Sequence, residues 1–174
     1  MRLEQIRENK FESFYLLLEK DFCFDERRTK ADALKVFKNP NYHPNFIYDD
    51  ELLVGYFCYW DFGDFIFGEH LAILEELRDK GMGSKFLQEF LKGLNKLFVF
   101  EVERPVDEQS IRRIKFYQRF NLAFNDYDYI QPSYHKDGKE VPMIFISYPN
   151  KLKEKDYKRI IAILRKEVYC KWTK

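Results

Sequence analysis

The stretch Arg78-Asp79-Lys80-Gly81-Met82-Gly83-Ser84 lies between an apolar extended run, Phe65 to Leu74, and a strongly helical run, Lys85 to Leu94. Glycines at such a junction let main chain approach a ligand, and the opening turn of the helix offers unpaired N–H groups and the positive end of its dipole. A phosphate suits that place. It would rest on the backbone N–H groups from Lys80 through Met82 to Ser84, with Arg78 and Lys80 adding charge-assisted contacts. The bland alternative is a solvated basic turn. A P-loop would end in Gly-Lys-Ser/Thr, and a dinucleotide fingerprint would carry a third glycine three residues beyond Gly83; Ser84 and Phe86 stand there instead, so neither pattern is met.

Carboxylates form the second group. Glu101 and Glu103 alternate at the exit of an apolar run, so they share a face, and with Asp61 and Asp64 they could line a pocket for a cationic amine. Glu69 alternates with Leu71 and Ile73, which puts its side chain on their face and His70 on the other. His43, His70 and His135 are too dispersed for a metal or a catalytic triad, and no serine or cysteine stands beside a base. Neither a metal centre nor a covalent intermediate is expected.

The elements that must position these groups follow from periodicity. Met1 to Arg7 reads as a short strand, and Phe11, Phe14, Tyr15, Leu18 and Phe22 form the apolar stripe of a first helix. Thr29 caps a second helix that Asn39-Pro40 closes, and Asn41 to Asn45 reads as a polar connection. Extended runs follow from Phe46 to Tyr48, Leu52 to Trp60 and Phe65 to Leu74, broken by turn residues at 49–51 and 61–64. Leu97 to Val102 is apolar enough for a central strand, with helices before and after it. Tyr127 to Ile130 and Met143 to Tyr148 read as a late strand pair, and Lys151 to Lys174 as a helix with lysines outward.

Taken together, Glu69 to Ile73, the Arg78 to Gly83 turn, the helix from Ser84, the strand through Glu103, the Phe116-Tyr117 pair and Tyr129-Ile130-Gln131-Pro132 resemble the GNAT superfamily of acyl-CoA-dependent N-acetyltransferases. That resemblance implies one domain over residues 1–174, of α/β (α+β) type, with a mixed, mainly antiparallel sheet flanked by helices. Acetyl-CoA is then the co-substrate, and its pyrophosphate rests on the glycine turn. The strand entering the turn would splay from the next, so that backbone groups of Ile73 and Leu74 meet the pantetheine arm. Glu69 would act as base, directly or through water, and the Tyr117 hydroxyl as general acid towards the leaving thiolate. Many relatives carry Asn where this chain has Ser110, the corresponding cofactor contact.

Composition bounds the rest. The chain has 174 residues, 45% of them hydrophobic and 18% aromatic, enough for one sizeable core. Thirty basic and 29 acidic residues leave +1, so no global field favours nucleic acid or an anionic membrane. Cys23, Cys58 and Cys170 lack any C-x-x-C spacing and fit reduced thiols. No signal-peptide core or bilayer-length apolar run is seen, so a cytoplasmic location is expected. The function expected is transfer of an acetyl group to a primary amine of a small molecule or peptide by direct attack. Its rivals are a module that binds acyl-CoA without transfer and a nucleic-acid-binding protein using the C-terminal lysines. Acceptor identity is not legible, and oligomeric state stays open, a homodimer included.

Overall fold

A computed structural model describes residues 1–136 and 138–170. Among these described residues seven strands form one sheet: β1 (Arg2–Gln5), β2 (Tyr42–Asp49), β3 (Leu52–Asp61), β4 (Phe65–Ile73), β5 (Leu97–Glu103), β6 (Ala123–Gln131) and β7 (Val141–Tyr148), in the order β1-β2-β3-β4-β5-β7-β6. Only β4 and β5 run parallel; the other ladders are antiparallel. Five helices cover the faces: α1 (Phe11–Asp21), α2 (Lys30–Phe37), α3 (Met82–Gly93), α4 (Glu108–Tyr117) and α5 (Glu154–Leu164), which continues as a π-turn over Arg165–Cys170. The expected last helix runs on to Lys174, and residues 171–174 lie outside the described residues.

Each face of the sheet has its own core. Phe14, Leu18, Val36, Ile160 and Leu164 place α1, α2 and α5 on the first, against Tyr56, Trp60, Phe67 and Phe145. Phe86, Leu87 and Leu91 of α3 pack on the second with Phe57, Phe98 and Phe100, and Ile114 and Tyr117 of α4 join them. Thr29 accepts a hydrogen bond from Asp32 N and so caps α2. The connection expected over 41–45 is strand instead. Pro44 is tolerated in β2 because its missing N–H falls where β1 ends, while its carbonyl still accepts from Ile6 N.

Two irregularities shape the middle of the sheet. The parallel ladder couples Phe65 to Leu97 through Gly68 to Phe100 and then stops, although both strands continue. In the β3–β4 ladder Tyr59 faces Gly68 and Cys58 faces His70, which leaves Glu69 with no opposite residue. Glu69 is thus the extra residue of a β-bulge, and a bulge interrupts side-chain alternation.

Candidate active site

Where β4 and β5 part, a cleft of about 820 Å³ opens, lined by the ends of both strands, the turn before α3 and one face of α4. Its edge is set by the β3–β4 ladder. Leu74 N donates to Val54 O, so 54/74 and every second pair from it are mutually bonded, and Leu71 and Ile73 turn their N–H and C=O groups away from β3 into the fork. Arg78 Nε takes up the Ile73 carbonyl at 2.9 Å. The splayed strand expected here is therefore present, with Leu71 and Ile73 as its exposed backbone. Leu74 is spent on β3.

The turn leaves a set of backbone donors open. Asp79 and Gly81 take positive φ (60° and 78°), which folds the chain back so that α3 starts at the cleft wall. Gly81 offers no side-chain cap and the first turn of α3 holds no acidic residue, so the leading N–H groups of this 12-residue helix are left for an outside acceptor. Gly81, Met82, Gly83 and Ser84 line the cleft. A pyrophosphate fits this donor set. Lys80 is exposed and is not part of the lining. Arg78 lines the cleft, but its guanidinium is committed to Asp21 on α1 as well as to Ile73 O.

Positive charge comes from α4 instead. Gln109, Arg112, Arg113, Phe116 and Tyr117 line the cleft, and Arg119 just beyond sends Nη2 to 3.5 Å from Ser84 Oγ. Their spacing is a single helical face, a pattern the sequence carried. Ser110 does not reach the cleft. Its hydroxyl completes a capping box with Asp107, accepting from Val106 N and Asp107 N, and the residue is 1% exposed. Tyr117 packs its ring 4.9 Å from Phe100, and its hydroxyl forms no hydrogen bond among the described residues. Burial raises its pKa, with Arg113 opposing, so at neutral pH it is a proton donor.

The carboxylates lie on the opposite face of the sheet. Because of the bulge, Glu69 and His70 both point towards the α1/α5 side, while Leu71 and Ile73 pack on the α3 side; the alternation expected for Glu69 is thereby corrected. The Glu69 side chain is 0% exposed, 2.8 Å from Arg28 Nη1 and bonded by Tyr134 Oη. Against the cost of burial, the Arg28 guanidinium and then His70 hold its pKa down at about 2. His70 Nε2 donates to the Glu26 carbonyl at 2.9 Å, which turns Nδ1 towards Glu69. Glu101 accepts from Tyr129 Oη, from Gln131 Nε2 at 2.8 Å and from Tyr169 Oη at 2.7 Å. All three donors are neutral. Burial therefore dominates and pushes its pKa up to about 7, with the field of Glu69 in the same direction.

Glu26, Glu69, Glu101 and Glu103 also line a smaller recess of about 70 Å³ that continues from the fork. Glu103 pairs with Arg113 at 2.7 Å, but desolvation and the neighbouring Glu26 raise its pKa. Asp61 and Asp64 are not part of this group. They flank the β3–β4 turn at the other end of the strands, paired with Lys96 and Arg159. A strand of this length carries its two ends far apart, so an antiparallel turn at the start of β4 cannot reach the place where β4 ends.

The family model of the acetyltransferase (GNAT) family matches residues 4–122, most of the chain. This protein belongs to the GNAT acetyltransferases. A Bacteroides thetaiotaomicron protein assigned to the same family is 35% identical, with a TM-score of 0.90 over 97% of this chain and 98% of that one. The GNAT fold also recurs in spermidine N-acetyltransferase of Vibrio cholerae (a variant, 9% identity, TM-score 0.61, 84% and 94% covered). An aminoglycoside 6'-N-acetyltransferase complexed with coenzyme A shares it at 12% identity and a TM-score of 0.51, with 84% and 96% covered. Among curated protein sequences no match is found. Among the described residues of this GNAT protein, no helix is long and apolar enough to cross a membrane and no cluster of three or more potential metal ligands occurs.

Proposed function

We propose that this GNAT protein is an acetyl-CoA-dependent N-acetyltransferase that passes the acetyl group directly to a cationic primary amine of a small molecule or peptide. One observation carries the reading: an anion seat and a free tyrosine hydroxyl on one face of the sheet meet a titratable carboxylate on the other through the β4–β5 fork. The co-substrate supplies an activated acyl group as a thioester. Gly81 to Ser84 would hold its pyrophosphate, with Arg119 and Arg112 nearby, and Leu71 and Ile73 would bond its pantetheine amides.

The amine must lose a proton to become a nucleophile. Glu101 suits that role better than Glu69, because a base is most effective when its pKa lies near the working pH, and Glu69 is tied to Arg28. Tyr117 stands on the cofactor side and would return a proton to the departing sulfur. Leu71 N–H, turned into the fork, is available to a developing negative charge. The acidic recess at Glu26 and Glu103 draws the charged amine in, and transfer of its proton to Glu101 makes it reactive. A module that only held acyl-CoA would have no use for a carboxylate kept near pKa 7 at the fork.

Thiol release from acetyl-CoA across a panel of primary amines tests this, with Tyr117→Phe and Glu101→Gln alongside the parent. Amine-dependent release that falls in both variants is expected. Tight coenzyme A binding with no amine-dependent release across the panel would return the binding-module reading.

A further inference from the structure

Beyond Leu164 the spacing of the helix changes. Arg165–Cys170, which continue α5, follow π spacing, a local widening that often marks functional positions. The turn points two groups inward at the carboxylates. The Val168 carbonyl accepts from Arg28 Nη2 at 2.7 Å, and Arg28 in turn holds Glu69. Tyr169, 1% exposed, donates to Glu101 Oε2 at 2.7 Å and accepts from Gln131 Nε2 at 3.1 Å. Thus one turn, remote in sequence from both strands, contacts the partner of one fork carboxylate and directly bonds the other.

We propose that this C-terminal turn is a positioning element of the active site, in which Tyr169 orients Glu101 and favours its ionised, proton-accepting form. The inference rests on the reading of Glu101 as the base. Around Glu101 stand Tyr129 and Gln131 of β6, Tyr134 of the following loop, Tyr157 and Tyr169 of α5 and its turn, and Glu69 with Arg28 behind it. No cation touches the carboxylate among the described residues. Its ionised form therefore depends on neutral donors, and loss of one raises its proton affinity. Tyr169→Phe removes the hydroxyl and keeps the ring that packs 5.1 Å from Tyr134.

The experiment follows the acid limb of the kcat/KM profile and, in protein without co-substrate, the 13C NMR titration of the Glu101 carboxyl. Tyr169→Phe should move both upward by roughly one pH unit, the size expected for one hydrogen bond to a charged group. A fluorinated tyrosine at position 169, a stronger donor of nearly the same size, should move both downward and guards against misfolding of the Phe variant. Glu101→Gln separates the two readings. If it keeps the parent's activity, Glu101 is not the base. If it is inactive while neither change at 169 moves the limb or the carboxyl titration, Tyr169 is only a packing residue and the inference is overturned.

Discussion

Glu69 and Glu101 would be the next register pair of the β4–β5 ladder, one step beyond Gly68 and Phe100, and the ladder opens at that step. Like charges directly opposite one another oppose pairing. Each carboxylate has instead been given its own partners: a buried guanidinium for Glu69, and two phenols and an amide for Glu101. The same residue type thus takes two protonation behaviours within one site.

Stability should separate them. Glu69→Gln leaves Arg28, 4% exposed, without its countercharge and should cost about 3–5 kcal/mol, seen as a lower Tm. Glu101 has the opposite sign. Its folded pKa of about 7 lies above the ordinary carboxylate value of about 4.3, so the folded state binds the proton more tightly and loses stability as pH rises through that window. Glu101→Gln should therefore raise Tm relative to the parent more at pH 8 than at pH 5. Thermal melts at both pH values check this, and equal destabilisation by the two changes at pH 8 would count against the assignment.

The proposed cofactor seat is tested at Gly83. A Cβ there meets Ile73 Cγ1 at 3.5 Å, an ordinary contact, so the fold should survive substitution. Gly83→Glu nevertheless sends a carboxylate into the anion seat, and calorimetry should show coenzyme A binding abolished. A folded variant that binds like the parent would mean the seat lies elsewhere.

Tyr117→Phe keeps the ring against Phe100 and removes only the hydroxyl. Coenzyme A binding should be retained and kcat should fall about 10²-fold, the low end for acid–base assistance because a thiolate is a good leaving group. Steady-state kinetics beside a binding isotherm distinguish the two effects. An unchanged kcat would leave Tyr117 as a core aromatic.

Neutralising the recess should act on the acceptor. Glu103→Gln combined with Glu26→Gln should raise KM for a cationic amine about 3–10-fold and leave KM for acetyl-CoA in place, as expected for partly screened charges. Asp61→Asn, at the far end of the strands, should change neither constant. Equal effects on both substrates would remove the acidic recess from acceptor binding.

Most of the fold was legible because its signals are local: the α1 stripe, the Thr29 cap, the glycine turn and the apolar run of β5 each lie within one window of sequence. Glu69 was misread because a bulge depends on register with β3, which alternation along one strand does not contain. Ser110 was misread for a local reason, since the capping spacing Asp107-x-x-Ser110 already committed its hydroxyl. Asp61 and Asp64 required the direction of the strands. The setting of Glu101 comes from residues 28 to 68 positions away in sequence and could not be read from its neighbours. Arg112, Arg113 and Arg119 could have been found by tracing the helical face that carries Tyr117.

The four residue pairs between β4 and β5 are the only ladder joining the β1–β4 half of the sheet to the β5–β7 half among the described residues. Mechanically this is a neck, a four-pair seam between two halves whose own central ladders are longer. A ligand lying in the fork and bonded to Leu71 and Ile73 acts as a strut that lengthens the neck. Coenzyme A should therefore slow amide hydrogen exchange on both sides of the seam, in β4 and β5, while the distant β1–β2 ladder exchanges as before.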